Sequence, residues 1–86
     1  MRYAVRLARE AEKDLLALSR ADRRLYDRIL NNLESLADDP RMGKPLVGNH
    51  KGEFSLRVGD WRIVYETHAS SKTVFVLTVK HRRHVY

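Results

Sequence analysis

No cysteine occurs anywhere in the chain, so disulfides and thiolate-held metals are excluded and a reducing compartment is the natural setting. No apolar run approaches the roughly 20 residues of a membrane span. The opening MRYAVRLAREAE lacks the unbroken apolar core of a secretory signal. A cytoplasmic protein with no membrane partner is expected. Proline and glycine are also scarce: both prolines and three of the four glycines fall within residues 40–52. The rest of the chain is therefore free to form regular elements. Acidic residues are few in one half only. Residues 1–39 carry eight Lys/Arg and eight Asp/Glu, whereas residues 40–86 set nine Lys/Arg against Glu53, Asp60 and Glu66. The net charge of +6 thus lies wholly in the second half, together with all four histidines. Solubility alone would not require that segregation, and a polyanionic partner would explain it.

What is present reads as a single domain over 1–86, with a modest core that buries about 60–65% of the unfolded surface. Residues 3–7 alternate, Tyr3, Val5 and Leu7 against Arg2, Ala4 and Arg6, which predicts a short strand. From Ala8 the period lengthens. Ala11, Leu15 and Leu18 mark one amphipathic helix, and Leu25, Ile29, Leu33 and Leu36 a second. Ser19-x-x-Asp22 resembles a capping box opening the second helix, and Pro40 forces its end at Asp39. The short break between them predicts an antiparallel helical hairpin. The irregular stretch 40–52 brings Arg41, Lys44, His50 and Lys51. EFSLRV and WRIVYET then flank Gly59-Asp60, a two-residue hairpin turn. TVFVLTV (73–79) is apolar at most positions on both faces, as suits an interior strand. The fold class expected is α+β: an N-terminal strand, then the helical hairpin packed on a mostly antiparallel sheet of three to four strands.

A turn at Gly59-Asp60 fixes the register. Phe54, Leu56, Val58, Trp61, Ile63 and Tyr65 then share one apolar face. Arg57 and Arg62 stand opposite each other on the other face. Like charges so placed repel by roughly 0.2–1 kcal/mol, a cost that an anion-binding site would justify. Two guanidinium forks can hold a phosphate from two sides. The plainer alternative is a solvated pair partly neutralised by Glu53, Glu66 or Asp60. If the third strand lies beside the hairpin, the ending KHRRHVY emerges near the arginines. Cations, imidazoles and a phenol gathered there would suit RNA cleavage: a base takes the ribose 2′-hydroxyl proton, cations stabilise the phosphorane, and an acid protonates the leaving 5′-oxygen. That chemistry needs no metal and no cofactor. His81 and His84 are three residues apart, but neither cysteine nor carboxylate lies close in sequence to complete a metal site.

The stretch GKPLVGNHKGEFSLRVGDWRIVYE (43–66) and the ending HRRHVY resemble the RelE/ParE superfamily of type II toxins, over essentially the whole chain. The resemblance implies a compact RelE-like α+β domain. In the RelE-like branch it implies a metal-independent endoribonuclease (an mRNA interferase) that cuts messenger RNA in the A site of the small ribosomal subunit, which inhibits translation. The partners implied are a cognate antitoxin encoded beside the toxin and, only through the antitoxin complex, operator DNA.

By position, Arg62 matches the family's phosphate-binding arginine and Arg57 an arginine often found five residues earlier. Arg82 matches a catalytic arginine of the ending, and Tyr86 a terminal tyrosine used as base or stacking ring. His81 and His84 are further candidates. Lys44, Lys51, Lys80 and Arg83 would bind substrate. Where the best-known RelE branch carries two lysines, this chain has Glu53 and Ser55; Lys44 or Lys51 would replace their charge, or Glu53 would act as base. The identity of the base stays open. The alternatives from other classes are a ParE-like gyrase poison and a catalytically inactive basic binding module.

Overall fold

The computed structural model describes residues 2–46 and 52–84, His84 by its backbone alone. The strand β1 (Ala4–Leu7) leads into α1 (Arg9–Ala21) and α2 (Arg23–Asp38). A two-residue strand, β2 (Lys44–Pro45), precedes the hairpin β3 (Glu53–Val58) and β4 (Trp61–His68). The long strand β5 (Thr73–His81) follows, then a 3-10 turn, Arg82–His84. Two helices pack on a mixed sheet of order β1-β5-β4-β3-β2, in which only β1 and β5 run parallel. The α+β class is as expected. The sheet gains a strand over the expected count because Lys44 and Pro45 pair with Ser55 and Phe54.

Local chemistry sets the helix boundaries. Asp22 both ends α1 and caps α2, its carboxylate accepting the Leu25 amide at 3.2 Å. A cap of this kind stabilises a helix by about 0.5–2 kcal/mol. The capping box expected at Ser19 is not formed. Ser19 lies within α1 and donates to the Leu16 carbonyl at 2.7 Å, because α1 runs on to Ala21. Helix α2 stops at Asp38, two residues before Pro40. The apolar stripes point inward as predicted: Ala11, Leu15, Leu18, Ile29, Leu33 and Leu36 are buried against Val58, Ile63, Tyr65, Val74, Val76 and Val79.

The hairpin register is the one the turn dictates, Val58 opposite Trp61 and Arg57 opposite Arg62. Gly59 has φ +61, which a residue without a Cβ adopts at no steric cost. Between β4 and β5 the register slips by one residue: Val64 pairs with Thr78 but Tyr65 with Val76. The bulge explains the double-sided apolar look of 73–79. Val74 and Val76 face the helices before it, and after it the inward position passes to Val79. β5 therefore stays in the sheet to His81, beyond the exit expected at Val79.

Candidate functional site

The outward face of the hairpin gathers the arginines. Arg57 and Arg62 are cross-strand partners, and the Arg57 Nε donates to the Gly59 carbonyl at 3.1 Å, bending that side chain toward the turn. The chain leaving β5 returns to the same turn, where the Arg82 amide donates to the Asp60 carbonyl at 2.8 Å. Arg57, Arg62 and Arg82 line one small cleft of about 60 Å³ with Gly59, Asp60 and Trp61. On the other side of the pair, Arg57 and Arg62 line a larger cavity of about 450 Å³ together with Lys44.

Among the described residues, no carboxylate forms an ion pair with Arg57, Arg62, Arg82 or Lys44. Ion pairs do form elsewhere: Arg2 with Glu34 and Asp38, Arg23 with Asp27, Lys80 with Asp14 and Glu10. Of the carboxylates that the plainer reading names, Glu66 meets His68 at 3.0 Å, Glu53 lies across from it at the far end of the hairpin, and Asp60 lines the small cleft without an ion pair to its arginines. An uncompensated cluster of donors on one face is what anion binding requires.

Other predicted residues lie elsewhere. Lys80 is the cross-strand partner of Arg62, yet its Nζ turns round the sheet edge to α1, 2.7 Å from Asp14 and 3.0 Å from Glu10. The Asp14 hydrogen bond, opposed by burial and aided by Glu10, raises the Lys80 pKa above its ordinary value. His81 is opposite Trp61, their rings edge to face at 5.8 Å, and both line a cavity against the helices. Its Nδ1 accepts the Arg83 amide at 3.2 Å. Arg83 is exposed on the 3-10 turn, which also holds the His84 backbone. Glu53 pairs with Glu66 at the far end of the hairpin, about 13 Å of strand from Arg57. His50, Lys51 and Tyr86 lie outside the described residues.

Two positioning groups escape a reading by composition. Asp14 also accepts the Val79 amide at 2.9 Å, satisfying β5 where β1 no longer covers it. Its signal was a carboxylate on the stripe of Ala11, Leu15 and Leu18. The Tyr65 hydroxyl donates to the Pro40 carbonyl at 2.9 Å and accepts the Gly43 amide at 3.0 Å, pinning the segment that leads to Lys44. A buried tyrosine needs such a partner, which was its signal.

A domain with this architecture and an unpaired cationic hairpin is matched, over residues 5–86, by the profile of the ParE toxin of type II toxin-antitoxin systems, parDE; the chain belongs to that family, within the RelE/ParE superfamily. It is a toxin of the type II class. It is similar to Toxin RelG of Mycobacterium tuberculosis, at 36% identity over 87 residues, 100% of this chain and 98% of the relative. Among solved structures it resembles a chain of the toxin-antitoxin complex RelBE2 from M. tuberculosis, with TM-score 0.85, 33% identity and coverage of 95% and 100%. It also resembles a chain of the archaeal RelE-RelB complex from Pyrococcus horikoshii, with TM-score 0.75, 26% identity and coverage of 99% and 100%. Among the described residues no helix is long and apolar enough to cross a membrane.

Proposed function

We propose that this toxin is a metal-independent endoribonuclease that cuts messenger RNA in the ribosomal A site and thereby stops translation. The observation that carries the reading is the group of Arg57, Arg62 and Arg82 around one turn, without carboxylate partners among the described residues. Arg57 and Arg62 hold the scissile phosphate, and Arg82 adds charge as the phosphorane forms. The ribose 2′-oxygen gives its proton to a base and bonds to phosphorus. The bond from phosphorus to the 5′-oxygen breaks, and that oxygen takes a proton, leaving a 2′,3′-cyclic phosphate and a 5′-hydroxyl. The ending supplies three candidates for the base, Tyr86, His81 and His84. His81 has its ring against Trp61 and its Nδ1 engaged, which favours Tyr86 over it. A phenol of ordinary pKa near 10 needs cationic neighbours for this task, and Arg82 and Arg83 precede it closely in sequence.

A cognate antitoxin protein is the regulatory partner we propose, supported by the similar chains of RelBE2 and of the archaeal RelE-RelB having been solved in complexes. Operator DNA would be met only through that complex, in the cytoplasm. The test is purified toxin on programmed ribosomes, with cuts mapped by primer extension. Wild type is expected to cut in the A-site codon, and Arg62→Ala to cut about 10²–10³-fold more slowly while still binding antitoxin. Undiminished cutting by Arg62→Ala would overturn the site. Intact messages with blocked replication and a DNA-damage response would assign the toxin to gyrase instead.

A further inference from the structure

The arginine pair is flanked on its β2 side by the cavity of about 450 Å³, and its walls differ from the rest of the cationic face. Such a volume falls in the range of small-molecule sites, about 300–1,000 Å³. Met42 and Leu46 bring apolar side chains to it, Pro45 and Leu56 also line it, and Arg57, Arg62 and Lys44 supply its cations. Ser55 lies between, half-buried, its hydroxyl uncommitted among the described residues. Apolar surface with one hydroxyl beside a phosphate cradle has the chemistry of a nucleoside joined to its phosphate: ring against carbon, ring edge to hydroxyl, phosphate to guanidinium.

The wall is also held in place before any ligand arrives. The Leu46 amide donates to the Glu53 carbonyl at 2.8 Å, and the Tyr65 hydroxyl ties down Pro40 and Gly43. Gly43 tolerates no side chain there, since a Cβ would come within 2.7 Å of the Tyr65 hydroxyl and 2.9 Å of the Ser55 carbonyl. A preformed wall spares the ordering cost that weakens binding to loose loops.

We propose that this cavity is a nucleoside subsite, taking the base and ribose attached to the phosphate held by Arg57 and Arg62; the inference rests on the reading of that pair as a phosphate cradle. Binding of adenosine and uridine monophosphates, each as 3′- and 5′-phosphate, is compared with that of inorganic phosphate by isothermal titration at low salt. At least one mononucleotide is expected to bind about tenfold or more tightly than phosphate. The double variant Met42→Ser, Leu46→Ser removes apolar wall without altering charge. It is expected to lose that advantage while keeping its phosphate affinity within about twofold, with thermal melting as the check on folding. Arg62→Ala is expected to weaken phosphate and mononucleotide alike. Should no mononucleotide outbind phosphate, or should the double variant keep the full advantage, the subsite is overturned and the cradle stands. Failure of wild type to bind either probe would overturn cradle and subsite together.

Discussion

Tyr65 shows how one atom can connect the core to the candidate site. Its ring is fully buried and stacks on Phe54 at 5.5 Å, while its hydroxyl makes two backbone bonds to the segment carrying Lys44. Burial raises its pKa, the Gly43 amide opposes that shift, and nearby Asp39 adds to it. Because the folded pKa lies above the ordinary value near 10, the contribution is complete below that pH and is lost as pH climbs through the folded value. Tyr65→Phe keeps the ring and removes both bonds. Its expected cost is about 0.5–1.5 kcal/mol per bond, read by urea unfolding, with a shallower loss of stability above pH about 10. The inward position of Tyr65 was legible from alternation along WRIVY. Its partners were not, because Pro40 and Gly43 are some two dozen residues away in sequence and only the paired sheet brings them near.

At the scale of elements, the exit of β5 depends on α1. Beyond Val76 the strand has lost β1 as neighbour, and Asp14 takes over by accepting the Val79 amide and holding Lys80. Asp14→Ala leaves a strand amide and a partly buried ammonium without their main acceptor. A loss of about 1–3 kcal/mol in urea unfolding is expected, with slower cleavage at saturating RNA because Arg82 lies two residues beyond Lys80. Lys80 has its pKa raised, so its contribution holds below the ordinary value of about 10.4 and disappears as pH rises through the folded one. The hairpin was legible because a Gly-Asp turn fixes every pair that follows. The bulge between β4 and β5 was not, since a one-residue slip leaves no mark until the partner strand is known. It decides that Val79 faces inward and, with it, on which side Lys80 and His81 begin.

Across the whole molecule, charge is segregated by surface as well as by sequence. The first half offsets its cations with as many carboxylates, as in Arg2 with Glu34 and Asp38 and Arg23 with Asp27, whereas Arg57, Arg62 and Arg82 form no ion pair with a carboxylate among the described residues. RNA affinity is therefore expected to fall steeply with salt, each phosphate neutralised on a single strand contributing about 0.7 to the log–log slope. Fluorescence titrations across a salt series are expected to lose about that increment in Arg57→Ala or Arg62→Ala, and none in Arg2→Ala.

The last strand in sequence occupies an inner place, with β1 hydrogen-bonded on one side and β4 on the other. During synthesis the first strand must therefore wait until Thr73–His81 has been made before it has anything to pair with. Messages broken upstream of Thr73 would yield peptides lacking the keystone of the sheet, inert and open to proteolysis.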